Sequence, residues 1–286
     1  MAMPFKPHAP SLKPWAQSIC AALVVTLAVS TVADAQEPQK PFEPTSGQAG
    51  KDVVWVPSPP AMVSKMLETA GVTPQDLVMD LGSGDGRNII AAAKLGARGI
   101  GVEFNADMVA LSRRLAAEAG VADKAQFVEG DMYAADISKA TVLALFLLPV
   151  NLNRLAPKFL DMTPGSRIVG NTFGIDGWEP DDQLTLDQNS DCSSWCEVLL
   201  WIVPAKAAGP WKMANGTMTI TQEFQMIKGE VTLDGATYTI PNTALRADAI
   251  AFIAGGLNFT GKVRGNQIEG LITTPAGQVP WRASRQ

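Results

Sequence analysis

Asp80-Leu81-Gly82-Ser83-Gly84-Asp85-Gly86 carries the clearest instruction for how this chain folds. The apolar residues Leu77-Val78-Met79 precede it, and apolar residues from Ile89 to Leu95 follow it. A short apolar run closed by a glycine-rich turn and then a helical pattern is how a buried parallel strand passes into a helix. Glycines in such a turn let the backbone approach a ligand closely. The carboxylates of Asp80 and Asp85 set the charge of that ligand, because they would repel a pyrophosphate and suit a positively charged nucleoside.

Upstream, Val53-Val54-Trp55-Val56 is a short apolar run closed by Pro57-Ser58-Pro59-Pro60, and helical spacing predicts a helix from about Ala61 to Ala70. Beyond the glycine turn come a strand Gly99–Phe104, a helix from Asp107 to about Ala119, and strands Ala125–Val128 and Val142–Leu148. A helical stretch near Leu152–Leu160, a strand Arg167–Phe173 and a late strand Glu197–Val203 complete the pattern. Alternating strands and helices predict an α/β, Rossmann-like, doubly wound and mainly parallel sheet. After Pro204–Pro210 the character changes to short alternating segments punctuated by Asn215-Gly216, Lys228-Gly229, Asp234-Gly235 and Gly265-Asn266, which predict a small antiparallel all-β barrel or sandwich. The expected organisation is a signal peptide over 1–35, a Pro- and Gln-rich linker over 36–50, the α/β domain over 51–205 and the β-rich domain over 209–286.

The N-terminus reads as an export signal: Lys6 and Lys13 precede the uncharged run Ile19–Val32, which ends at Ala33-Asp34-Ala35, a small-x-small pattern that predicts cleavage after Ala35. An uncleaved anchor is the alternative, but the run is shorter than the roughly 20 residues a spanning helix needs. Either reading puts the folded part outside the cytoplasm, as an exported and periplasmic protein. No later segment reads as membrane-spanning. Of the 23 basic and 28 acidic residues, loss of Lys6, Lys13 and Asp34 leaves 21 against 27, an acidic balance that argues against a nucleic-acid partner. The single histidine, His8, lies in the signal, which removes a His base and most zinc chemistry from the mature chain; no metal site is expected. Cys192 and Cys196 form a local disulfide, stay as free thiols, or make half of a metal site; an oxidising compartment makes the disulfide plausible.

Glu103 closes the second strand 23 positions after Asp80, near the spacing of roughly 20 at which an acidic side chain reaches a ribose diol. Asp131, just past the third strand, is placed to accept from an adenine amino group with Met132 alongside the ring. Trp55 and Trp178 read first as packing residues and second as cover for an acceptor channel, since aromatic faces attract cations.

The order of these residues resembles the class I methyltransferases that use S-adenosylmethionine (SAM), over about residues 51–205. The resemblance implies that Asp80, Gly82, Gly84 and Gly86, with Ser83 and Asp85 in the same turn, hold the methionine end of SAM, Glu103 the ribose, and Asp131 with Met132 the adenine. Val56-Pro57-Ser58-Pro59, Leu145-Phe146-Leu147-Leu148-Pro149 and Trp178-Glu179-Pro180 are similar to bacterial relatives of the eukaryotic protein-lysine methyltransferases that act on an ATP synthase subunit. That likeness implies that Pro57 and Ser58 line the cofactor site and that Leu147, Leu148 and Pro149 border the transfer site. Such relatives tend to carry a Ser-His-Asp-Phe-like segment where this chain has Gly170-Asn171-Thr172-Phe173, and the likeness does not reach the β-rich end.

Methyl transfer from a sulfonium is an in-line displacement, which an enzyme accelerates mainly by alignment at about 3 to 3.5 Å. Tyr133, Asn151 and Asn171 are the candidate polar residues around the acceptor mouth. The expected function is SAM-dependent methyl transfer to an unknown acceptor, with a protein lysine among the candidates. The rivals are an exported SAM- or nucleotide-binding protein without catalysis, and a nucleotide-dependent oxidoreductase; the latter would need a basic phosphate-binding residue, for which Arg87 is the only candidate near the turn.

Overall fold

Val142–Leu145 are buried at all four positions, as a strand covered on both faces must be. The same holds for Leu77–Leu81, of which only Leu77 keeps partial exposure. These two strands are the centre of a seven-stranded sheet. The structure, a computed structural model, describes residues 42–187 and 192–286; the signal expected over 1–35 lies outside the described residues. Phe42–Gln286 forms one compact unit.

In chain order the first half contains α1 (Pro60–Thr69), β1 (Leu77–Leu81), α2 (Arg87–Lys94), β2 (Arg98–Glu103), α3 (Ala106–Glu118), β3 (Ala125–Glu129), β4 (Val142–Leu145), α4 (Pro149–Phe159), β5 (Arg167–Asn171), β6 (Asp182–Thr185) and β7 (Glu197–Ile202). The sheet order is β3-β2-β1-β4-β5-β7-β6. The first five strands run parallel, β7 is antiparallel to β5, and β6 is antiparallel to β7. The doubly wound, mainly parallel sheet is therefore as expected. Strand order reverses between β1 and β4, and ligands of open α/β sheets bind in the crevice at the carboxyl ends there.

Local chemistry sets the element boundaries. Pro60 and Pro149 each occupy the first turn of a helix, where their missing N–H costs nothing. Asn105 caps α3 by accepting from the backbone N–H groups of Asp107 at 2.9 Å and Met108 at 3.3 Å. The strand expected over 142–148 stops at Leu145, because Pro149 starts α4 and Phe146–Leu148 leave the sheet to make that turn. The strand expected to reach Phe173 stops at Asn171, where Thr172 takes a φ of +64°. β6 is an addition that the sequence reading missed: Asp-Gln-Leu-Thr is mostly exposed and has no apolar pattern to announce it.

The second half is an eight-stranded antiparallel sheet, β8 (Gly209–Met213), β9 (Gly216–Glu223), β10 (Met226–Leu233), β11 (Ala236–Ala244), β12 (Ala249–Ala254), β13 (Leu257–Arg264), β14 (Gln267–Thr274) and β15 (Gly277–Arg285). β8 pairs with β15 and β11 lies against β12, so the sheet curls into a nearly closed barrel, which decides between the barrel and sandwich alternatives. Its interior is filled by Trp211, Met218, Ile220, Ile240, Phe252, Phe259, Ile268 and Trp281. Phe252 stacks on Phe259 at 4.7 Å, and Trp281 meets Phe259 edge-on at 5.5 Å. A barrel of eight strands is just wide enough for side chains to fill, and here these side chains form a packed core.

The barrel is fastened to the α/β sheet through Trp178. Its ring stacks on Phe224 at 5.1 Å, its carbonyl accepts from Trp201 Nε1 at 2.7 Å, and the neighbouring Glu179 carbonyl accepts from the buried Gln225 amide at 2.7 Å. Trp178 is therefore core, the first of its two readings. No helix among the described residues is long and apolar enough to cross a membrane.

Candidate active site

The glycine turn begins where β1 ends, and its three glycines all take positive φ: +78° at Gly82, +55° at Gly84 and +82° at Gly86. A Cβ on Gly84 would come within 2.6 Å of Trp55 Nε1, and one on Gly86 within 2.5 Å of the Phe127 ring, so neither position tolerates a side chain. The turn is tied to β2: Gly82 N and Ser83 N donate to the Val102 carbonyl at 2.7 and 3.0 Å, and Gly84 N donates to Glu103 Oε2 at 2.9 Å. Glu103 Oε1 accepts from Asn105 N at 2.9 Å. Two fixed N–H groups thus aim the Glu103 carboxylate and leave its remaining lone pairs for hydroxyl donors.

A cavity of about 250 Å³ opens over this turn. Of the residues expected to bind cofactor, Pro57, Ser58, Asp80, Gly82, Ser83, Gly84, Asp85, Glu103, Asp131, Met132 and Leu148 line it, whereas Gly86 supports the turn from behind. Asp80 is buried and accepts from Asn88 Nδ2 at 3.0 Å. Burial, with Glu103 and Asp85 nearby adding negative charge, pushes the Asp80 carboxyl up to about 8. A cation placed beside it would reverse that effect and favour the carboxylate.

Asp85 behaves differently. Arg87 Nε and Nη2 grip both its oxygens at 2.9 and 2.5 Å, and Arg87 Nη1 donates to the Ser58 carbonyl at 2.5 Å. The pair therefore clamps the Pro57-Ser58 segment onto the turn, and Arg87, the basic group beside the turn, is engaged by a carboxylate.

Asp131 has Lys51 Nζ on Oδ2 at 2.7 Å and the Tyr133 N–H on Oδ1 at 2.8 Å, and these hydrogen bonds hold its carboxyl below the usual carboxylate range. Lys51 also lies 4.6 Å above the Phe104 ring. It belongs to a segment that folds back on itself, with Gly47 N donating to the Trp55 carbonyl at 2.8 Å and Trp55 N to the Gln48 carbonyl at 2.9 Å. Gln48, Ala49 and Gly50, from the stretch read as linker, line the cavity with Lys51 and Trp55.

The three polar residues expected at the acceptor mouth stand behind the wall. Asn151 Nδ2 donates to Tyr133 Oη at 2.7 Å, Arg154 covers the Tyr133 ring at 3.7 Å, and Asn171 Nδ2 donates to Ser58 Oγ at 3.2 Å; none of the three lines the cavity. The residues that do face it on that side are apolar: Leu147 and Leu148, expected to border the transfer site, together with Phe146, Phe173 and Trp195, to which the sequence had assigned no role. Among the described residues no cluster of His, Cys, Asp and Glu could hold a metal.

These features fit a nucleoside with a cationic chain. The deep carboxyl Asp80 suits a cationic group, Glu103 has lone pairs left for hydroxyls, and two buried polar atoms without partners, Ser83 Oγ and Asn88 Oδ1, belong to residues lining the same cavity. The two cations that line the cavity, Lys51 and Arg87, are each paired with a carboxylate, Asp131 and Asp85.

The family model described as the ANTKMT methyltransferase domain matches residues 80–182. A protein-lysine N-methyltransferase of Saccharolobus islandicus is 39% identical over 142 residues, 48% of this chain and 88% of that protein. A lysine N-methyltransferase of Rattus norvegicus, named for the ATP synthase polypeptide it modifies, is 31% identical over 189 residues, 63% of this chain and 81% of that protein. Among solved structures, an RNA methyltransferase from Salinibacter ruber in complex with S-adenosyl-L-homocysteine is 42% identical, covering 53% of this chain and 95% of that one with a TM-score of 0.49. Identity at this level across most of the Saccharolobus protein settles membership: the chain belongs to the ANTKMT-type family of SAM-dependent methyltransferases.

Proposed function

We propose that this methyltransferase transfers the methyl group to the side-chain amine of a lysine within a protein, and that it does so after export. The observation that carries the acceptor is the kinship with a protein-lysine N-methyltransferase over nearly that protein's whole length. The site agrees, because the cavity wall beyond the glycine turn is apolar and aromatic, as suits an aliphatic stem ending in a nitrogen.

When bound, SAM supplies an activated methyl group on a sulfonium. The chain's part is placement. Asp80 and the turn backbone would hold the methionine end, Glu103 the ribose hydroxyls, and Asp131 with Met132 the adenine. Phe146, Leu147, Leu148 and Phe173 exclude water from the acceptor side, which lowers the pKa of a lysine ammonium and frees its lone pair for in-line attack. No base is required once the amine is neutral, consistent with a mature chain that has no histidine. Incubating cell-envelope proteins with methyl-labelled SAM and the purified enzyme is expected to give label that emerges as methylated lysine after acid hydrolysis, and none with Asp80→Ala. Label in another residue or in lipid would overturn the lysine assignment.

Export is supported by the Lys6–Ala35 pattern and by the Cys192–Cys196 disulfide, a bond that persists in oxidising compartments. The protein recovered from the periplasm is expected to begin at Gln36. Recovery from the membrane fraction with the N-terminus intact would instead mean that the first segment is an anchor.

A further inference from the structure

Trp195 is hard to explain as a packing residue. It is 44% exposed, it takes a left-handed φ of +56°, and it sits inside the short ring closed by the Cys192–Cys196 bridge. A bridge at a sequence separation of 4 constrains the unfolded chain little, so its local effect outweighs its global one. Cys192 is buried in the same apolar cluster as Val198 and Leu200, with Cys196 packed against it. The bridge therefore ties an exposed, strained tryptophan to the core of the sheet. Strain of this kind persists only where the surroundings enforce it, and it gathers at functional sites.

Its neighbours say what the tryptophan faces. Phe146 and Phe173 stack at 6.0 Å with an interplanar angle of 9°, and the Trp195 ring meets Phe146 at 6.0 Å, tilted by 58°. All three line the cavity. They come from the ends of β4 and β5 and from the approach to β7, on one side of β1, whereas Glu103 and Asp131 come from β2 and β3 on the other. The glycine turn lies between the two groups. The carboxylate side is spent on the nucleoside, which leaves the aromatic side for the acceptor.

We propose that Phe146, Phe173 and Trp195 form an aromatic subsite that takes the aliphatic stem of a neutral alkylamine acceptor and holds its methylated ammonium product, and that the Cys192–Cys196 bridge positions Trp195 in it. This rests on the lysine reading above and narrows it. At 6.0 Å the stacked Phe146 and Phe173 rings are too close to admit a cation between them, so the cation meets the open side of that pair and the tilted Trp195 ring, which together dehydrate it, and methylation, which weakens hydration of the nitrogen, strengthens the preference.

The test uses the mature protein saturated with S-adenosyl-L-homocysteine, titrated calorimetrically with Nα-acetyl-trimethyllysine amide and with its neutral isostere, in which carbon replaces the quaternary nitrogen. The wild type is expected to bind the cation at least about 5-fold tighter than the isostere. Trp195→Ala and the double variant Cys192→Ser/Cys196→Ser are each expected to weaken cation binding about 10-fold, with S-adenosyl-L-homocysteine affinity held within about 3-fold as the check on folding. Undiminished cation binding in both variants would overturn the subsite and leave the lysine acceptor standing, as would absence of cation binding in an enzyme that still labels lysines. Tighter binding of the neutral isostere would overturn subsite and lysine acceptor together. A parallel loss of S-adenosyl-L-homocysteine binding would make Trp195 structural and likewise overturn the proposal.

Discussion

Asp80→Asn is expected to remove most SAM affinity while making the ligand-free protein more stable above neutral pH. The Asp80 carboxyl is 4% exposed, has Asn88 as its hydrogen-bond donor, and feels Glu103 and Asp85 as like charges. In an unfolded chain a carboxyl ionises near 4, but here it keeps its proton up to about 8. Folding is therefore favoured by this group at low pH, and the contribution is lost as pH rises from about 4 through 8, because the folded state must then carry a buried charge without a partner. Asparagine keeps the acceptor for Asn88 and cannot ionise. The variant should melt higher than wild type at pH 8 and no higher at pH 4.

Cofactor binding moves in the opposite direction. A cationic ligand stabilises the Asp80 carboxylate, and loss of one charge-assisted contact costs about 1.5 to 3 kcal/mol, a factor of roughly 10 to 150 in affinity. Wild-type binding should strengthen as pH rises through the range below 8 and release a proton, seen as a dependence of the calorimetric heat on the ionisation enthalpy of the buffer. The Asp80→Asn variant should show weak binding with no such dependence. A variant that binds as tightly as wild type would remove Asp80 from the cofactor site.

Glu103→Gln should lose comparable affinity, with the opposite thermal signature. Both carboxylate oxygens accept from backbone N–H groups, those of Gly84 and Asn105. A glutamine presents one oxygen and one NH₂, so one of these N–H groups faces a donor and loses its partner. An unsatisfied, partly buried donor costs about 1 to 3 kcal/mol. At about 2 to 4 °C per kcal/mol for a unit of this size, melting should fall by several degrees. On the proposed binding mode the ribose would lose its anionic acceptor at the same time, and the Gly84 turn beside it would be loosened. The two carboxylates are thereby distinguished: one is destabilising when the site is empty and the other holds the site together. A Glu103→Gln protein with unchanged melting would mean that the Gly84 and Asn105 contacts contribute nothing to stability.

Much of the site could be read directly because its parts are consecutive in the chain. A strand that ends at Asp80, a turn that needs three glycines and a helix that follows leave a local pattern, and so does an acidic residue at the end of the next strand. The barrel was legible for a similar reason, since hairpins join neighbours through turn residues such as Asn215-Gly216 and Asp234-Gly235. The choice between barrel and sandwich was not, because closure depends on β8 finding β15 from the far end of the segment.

The polar residues assigned to the acceptor mouth were misplaced because a loop residue and a helix residue can face either way. Asn151 Nδ2 donates to Tyr133 Oη across 18 positions behind the wall. Near-neighbour chemistry was enough to specify the α/β sheet, the glycine turn and the carboxylates around it, since period, turn preference and charge all act over a few residues. The clamp of Lys51 on Asp131 across 80 positions and the meeting of Phe146, Phe173 and Trp195 needed the folded chain, because burial and ring contacts between distant segments exist only once sheet order has brought those segments together.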